Sequence, residues 1–202
     1  MKFLVFALML MLPWGSAAAE QTPSPYESVK TTTEALLVKL VEIQPLYESD
    51  QERFFQEVRG SLEPVMDFKG FARGVMAKYY RRADPEQIDQ FAIVFKEALI
   101  RTYATALVEF DNQKVDVKQD SVQQDGDRAS IRLEVFGQDG TVYPVDYTLI
   151  YEDGTWKLRN IVVNGINLGL QFRSQFSAYM QKYRNDIDAV IANWNVTVTA
   201  EQ

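Results

Sequence analysis

The chain has 202 residues, with 21 Lys and Arg against 28 Asp and Glu, a net charge of −7, and neither cysteine nor histidine. Disulfides, thiolate or imidazole metal sites and histidine-dependent catalytic triads are therefore excluded, which leaves carboxylates, Lys and Tyr as catalysts. The acidic balance argues against nucleic acid, which needs a basic face, and no block of Lys or Arg stands in the sequence to hold an anionic membrane surface.

Lys2, an apolar run over residues 3–12 and the small-residue stretch "SAAAE" read as an export signal at residues 1–19, cleaved after Ala19. The run is too short to span a bilayer core, which takes about 20 residues. Its removal takes one charge, Lys2, and leaves 183 residues with 20 Lys and Arg against 28 acids. That length suits one domain with a substantial core. Residues 20–25, "EQTPSP", read as a disordered leader, residues 26–194 as the domain and residues 195–202 as a tail without a clear pattern.

Residues 26–43 have helical periodicity, with Val29, Leu36, Leu37, Leu40 and Val41 on one side, and Pro45 closes the segment. Ser49 or Asp50 can cap a second helix through Phe54, Phe55 and Val58, with Gly60 near its end. Pro64 is compatible with the first turn of another helix, while Gly70 and Gly74 favour a break near Asp67. The clearest element is the helix over residues 85–110. Asp84 stands at its N-cap, Pro85 at the first helical position and Gln87 three residues after the cap. Ile88, Phe91, Ala92, Phe95, Leu99, Tyr103, Ala106 and Phe110 form one stripe, and Ile93, Ile100 and Leu107 a second. A surface helix needs one stripe, so this helix is expected to be buried on two sides or to line a cavity.

From Lys114 the period becomes two. Four strands are expected in "KVDVKQ", "RASIRLEVFG", "TVYPVDYTLIYE" and "TWKLRNIVV", separated by the antiparallel turn signals "QDGD", "GQDG" and "EDG". Their alternation covers one sheet face only. After Gly165 a helix is expected from about Leu170 to Asn193. The pattern is α+β, with helices packed on the concave face of a curved antiparallel sheet of about four strands, a cone that leaves a pocket.

Polar candidates are few. Asp146, beside Tyr143, Tyr147 and Tyr151, could form a proton-abstracting pair, although the alternation puts it on the solvent face. Arg81 and Arg82 in "YYRRA" could hold a phosphate or complement a helix C-terminus. The 25 aromatic residues, the two-striped helix and the apolar run after Gly165 point instead to a lined cavity.

Two stretches in the right order, "FKGFARGVMAKYYRRADPEQIDQFAIVFKEALIRTYATAL" and "WKLRNIVVNGINLGLQFRSQF", resemble the MlaC family of periplasmic phospholipid-binding proteins, also known as toluene-tolerance auxiliary components. The resemblance covers about residues 26–191. In this chain Asn160 stands where the family pattern usually has Asp, Asn167 replaces a Ser, and "QFR" replaces "NYR". The resemblance implies a nuclear-transport-factor-like cone with no catalytic residue, metal or cofactor. The implied function is a monomeric phospholipid carrier in the periplasm of a Gram-negative bacterium. It would move lipid between an outer-membrane lipoprotein–porin complex and an inner-membrane ABC transporter, docking on the transporter's substrate-binding-type subunit, and so maintain outer-membrane lipid asymmetry. The energetics agree: at about 0.8 kcal/mol per CH₂, two sixteen-carbon tails bare in water would cost on the order of 20 kcal/mol. A cavity for both would lie near or above about 1,000 Å³.

The expected cavity residues are Val75, Tyr79, Phe95, Leu99 and Tyr103 from helices, and Leu133, Val135, Val145, Tyr147, Leu149, Leu158 and Val163 from strands. Ile166, Leu168 and Phe172 would close it, with Arg81 and Arg173 at the rim. The alternatives are an enzyme on a related cone using Asp146 and tyrosines, or a binding module for small hydrophobic solutes.

Overall fold

The structure is a computed structural model that describes residues 22–108 and 114–195. The export signal and the tail from residue 196 onward lie outside the described residues. Helix α1 (Pro25–Ile43) begins with Pro at its first turn, where the missing N–H costs no hydrogen bond, and buries Val29, Leu40 and Ile43. The Trp156 indole donates to the Pro23 carbonyl at 2.7 Å and ties the start of α1 to the sheet. After the single turn of α2 (Leu46–Ser49), Asp50 caps α3 (Gln51–Leu62) by accepting from the Arg53 N–H at 3.1 Å. Pro64 opens no helix. The segment around it turns back onto the sheet, where Val65 and Asp67 exchange backbone hydrogen bonds with Leu158 at 2.8 and 2.9 Å.

Helix α4 (Phe68–Met76) starts at the expected break, with the Asp67 carboxylate accepting from the Gly70 N–H at 2.7 Å, and runs into a 3₁₀ helix (Ala77–Arg82). Helix α5 (Pro85–Val108) opens with the reciprocal cap read from the sequence. Asp84 accepts from the Gln87 N–H at 2.8 Å, and Gln87 accepts from the Asp84 N–H at 3.2 Å. Replacing Asp84 with Ala is expected to cost about 1 kcal/mol, lowering the melting temperature by about 2–4 °C in thermal denaturation.

The two stripes of α5 fare differently. Ile88, Phe91, Ala92, Phe95 and Leu99 are buried, as is Ile100, but Ile93 is 58% exposed. Helix α3 crosses the middle of α5, where Arg59 and Glu97 form a bidentate ion pair at 2.7 Å, so the second side is covered at Ile100 and bare two turns earlier. The side chains of Ala106 and Leu107, and all of Phe110, lie outside the described residues.

Five strands form one antiparallel sheet in sequence order: β1 (Val115–Asp125), β2 (Arg128–Phe136), β3 (Val142–Glu152), β4 (Thr155–Val163) and β5 (Ile166–Asn167). The fifth, beyond the four expected, has two residues. Asn164 and Gly165, at φ +50° and +82°, make a tight turn after which Ile166 pairs with Val163. A β-bulge at Arg159 shifts the β3–β4 register, with Asn160 opposite Thr148 but Leu158 opposite Leu149. One extra residue reverses the facing of all that precede it. This is why Trp156 and Leu158 share the inner face with Ile161 and Val163 despite their opposite parity.

The expected long terminal helix is broken. Arg184 and Asn185 both take positive φ, which ends α6 (Leu168–Lys182) and separates it from α7 (Ile187–Ala192), capped by Asp186. Trp194 then folds back onto Phe91 with ring centroids 5.1 Å apart. The apolar interior falls into three clusters. One joins α4, α5, α6 and α7, one joins the sheet to the start of α1, and one joins the end of α1 to α3 and Ile100.

Candidate functional site

Where the three clusters meet they do not close. They leave a cavity of about 360 Å³ between the inner face of the sheet and the helices. β3 contributes Val145, Tyr147 and Leu149, and β4 contributes Trp156, Leu158, Ile161 and Val163. Leu62, Val65, Met66, Phe68 and Phe71 come from α3, α4 and the link between them. Leu99, Ile100 and Tyr103 come from α5, Leu168 and Phe172 from α6, and Ser28, Val29, Thr32, Thr33 and Leu36 from α1. No lining residue is charged. The polar groups are the three hydroxyls of α1 and the two tyrosines, and burial pushes the phenols of Tyr103 and Tyr147 up, so both stay neutral at physiological pH. Such a wall offers dispersion and apolar burial. It has no nucleophile–base pair.

Nine of the fifteen expected cavity residues come together here: Leu99, Tyr103, Val145, Tyr147, Leu149, Leu158, Val163, Leu168 and Phe172. The other six stand elsewhere. Phe95 is fully buried behind the wall, against Phe71 at 5.1 Å and Phe172 at 5.5 Å, and it is those two rings that face the cavity. Val75 and Tyr79 belong to the same helical core, Tyr79 against Phe176 at 5.9 Å. Leu133 is buried and Val135 half-buried in the sheet cluster on β2, one strand beyond the wall. Ile166 is 50% exposed on β5. Arg81 and Arg173 are exposed and line no part of the cavity, Arg173 donating instead to the Gly74 carbonyl at 3.1 Å.

The α1 contribution went unread because Ser28, Thr32 and Thr33 look like a solvated helix face. Phe68 and Phe71, three residues apart on α4, carried a readable signal. The volume is also about a third of the expected size, and the rings of Phe71, Tyr103, Tyr147, Trp156 and Phe172 form part of its wall.

Asp146 takes the solvent face. Its carboxylate accepts from Arg132 Nε at 2.7 Å and Nη2 at 3.0 Å, across the strand pair from its register partner, while Tyr147 points the other way into the cavity. Among the described residues no group of carboxylates is placed to hold a metal ion, and no helix is long and apolar enough to cross a membrane.

The family described as MlaC protein matches residues 30–196. The chain belongs to the MlaC family. It is 39% identical to the toluene tolerance protein ttg2D of Pseudomonas putida over 191 residues, 94% of this chain and 87% of that protein. It is 26% identical to the intermembrane phospholipid transport system binding protein MlaC of Haemophilus influenzae over 172 residues, 82% of this chain and 78% of that one. A solved structure of a phospholipid-binding protein from Ralstonia solanacearum, in complex with a phospholipid, superposes with a TM-score of 0.75 at 28% identity, covering 84% of this chain and 94% of that one.

Asn160 and Asn167 face each other in the fold. Asn160 on β4 donates to the Asn167 side-chain oxygen at 3.1 Å and accepts from the Gly169 N–H at 3.0 Å. Asn167 in turn accepts from the Leu170 N–H at 3.0 Å as the N-cap of α6. The neutral pair anchors the start of the helix that brings Leu168 and Phe172 to the wall. A side chain at Gly169 would collide with the Asn160 amide, so glycine is required there.

Proposed function

We propose that this MlaC-family protein is a periplasmic phospholipid carrier that shields acyl chains in the cavity between the sheet and α1, α4, α5 and α6. The observation that carries the reading is a wall without a single charge at the meeting point of three core clusters. Support comes from the phospholipid-bound relative of the same fold and from the relative named as a binding protein of intermembrane phospholipid transport. The expected export signal would bring the chain to the periplasm, between an outer-membrane lipoprotein–porin complex and an inner-membrane ABC transporter. Carriage between them would help keep the outer membrane asymmetric.

Binding without head-group pairing suits a carrier, because cargo must leave as readily as it enters. An apolar wall matches the bilayer interior in free energy and traps nothing. At about 360 Å³ the cavity is smaller than two whole tails, so loading widens it. The same volume fits a small apolar solute, which is the second reading.

The two separate in a transfer assay with fluorescent phospholipid in donor vesicles and unlabelled acceptors held behind a porous membrane. A carrier raises the transfer rate in proportion to protein added, and excess toluene competes weakly. Transfer at the spontaneous rate, with toluene bound tightly, would favour the solute-binding reading.

A further inference from the structure

No block of cations stands in the sequence, but the fold assembles one from two distant runs. Residues 68–83 carry Lys69, Arg73, Lys78, Arg81 and Arg82 and no acid; residues 168–185 carry Arg173, Lys182 and Arg184 and again no acid. With those eight removed, the rest of the chain holds 13 Lys and Arg against 28 Asp and Glu. Helix α4 and its 3₁₀ extension pack along α6, joined by the Arg173 bond to the Gly74 carbonyl and by the Tyr79 hydroxyl, 3.4 Å from that of Ser177.

Of the eight cations, only Lys69 has a carboxylate partner among the described residues, Asp89 on α5. Arg73 lies over the Tyr80 ring at 5.3 Å and Lys78 over Tyr79 at 5.1 Å. The Ser177 hydroxyl, and after it the charges of Lys78 and Arg82, hold the Tyr79 phenol below its ordinary value. Lys182 sits at the end of α6 over Tyr179 and Tyr183. Arg73, Lys78, Arg81, Arg82, Arg173 and Arg184 are all exposed. Asp84 and Asp186, the caps of α5 and α7, border the face at its far end.

At its near end the face meets an apolar edge. Ile166 is 50% and Leu170 53% exposed, flanking Leu168 where α6 enters the cavity wall. We propose that this face docks the protein, apolar edge included, onto an anionic phospholipid bilayer. Cations interleaved with tyrosines beside an exposed aliphatic edge suit a lipid–water interface. An acidic protein surface would match the charge as well, and the vesicle test separates the two. The choice of a bilayer rests on the carrier reading. The acids elsewhere repel an anionic surface, so only this orientation is attractive, and salt limits the reach of the attraction to about 10 Å. The result is a weak, oriented and reversible encounter with the cavity edge toward the lipid.

The test is co-sedimentation of the mature protein with vesicles of phosphatidylcholine alone or mixed equally with phosphatidylglycerol, at about 50 and about 200 mM salt. A cation at such a surface is worth about fivefold in the partition constant. The triple variant Arg73→Gln/Lys78→Gln/Arg82→Gln is therefore expected to lose about 100-fold. A control triple with the same net charge, Arg53→Gln/Lys114→Gln/Arg128→Gln, draws on exposed cations outside the face and should lose much less. Replacing the three face residues with the other cation, Arg or Lys, should restore binding and guard against misfolding. Wild-type protein should bind the mixed vesicles, ignore phosphatidylcholine and weaken with salt. Equal loss in both triples, or no binding of wild type at low salt, overturns the proposal. In the second case co-purified lipid would show whether the carrier reading survives, and the face would pass to an acidic protein partner.

Discussion

Gly70→Ala is expected to lower the melting temperature by about 10 °C, far beyond the effect of an ordinary glycine replacement in a helix. The reason lies at the first turn of α4. Asp67, 8% exposed, uses one carboxylate oxygen to cap the Gly70 N–H and the other to hold the Arg159 guanidinium. A methyl group at Gly70 would sit on that second oxygen and 2.7 Å from Arg159 Nε, so the carboxylate must leave one partner. Breaking a buried ion pair costs about 3–5 kcal/mol, and because Arg159 keeps partial access to water the low end applies. At about 2–4 °C per kcal/mol for a domain of this size, the shift follows. Gly74→Ala, on the same helix with nothing within 4 Å of the new methyl, should instead gain up to about 1 kcal/mol from helix propensity. If both variants melt with the wild type, the Asp67–Arg159 pair does not anchor α4 to the bulge of β4.

The second large effect concerns the cavity. Val145→Trp combined with Leu149→Trp is expected to cut bound phospholipid at least about tenfold, or 1.4 kcal/mol in binding, while the protein remains folded. Both side chains are on the inner face of β3, 8% and 3% exposed, and both line the cavity. In a dry core, overpacking forces strain into the backbone. Here the added rings have about 360 Å³ to enter. Circular dichroism and melting report the fold, and lipid extraction reports the cargo. Normal lipid content in a folded double variant would move the cargo to another surface; unfolding would show that the two positions are core.

The parts of this account readable from sequence are those set by local chemistry. The Asp84–Gln87 cap, the Asp67 break, the glycine turns and the strand alternation each involve residues a few positions apart. The inner-face residues of β3 followed from period two alone. What was hidden depends on contacts between distant segments. The bulge at Arg159 depends on pairing with β3 and on Asp67. The split after Lys182 depends on Trp194 returning to Phe91, which needs α7 to turn back. Phe95 and Phe71 look alike on a helical wheel, and only the packing of α4 against α5 decides which ring faces the void. The basic face is invisible for the same reason, since its two runs meet only through α4 and α6.

The cavity, on this reading, holds phospholipid. Native mass spectrometry of the mature protein, purified from periplasm without detergent, with lipid extraction from the same sample, tests it most directly. Adducts are expected at phospholipid masses that extraction removes and that the Val145→Trp/Leu149→Trp variant lacks. A clean unliganded mass from wild-type protein that also stays empty when offered liposomes would contradict it.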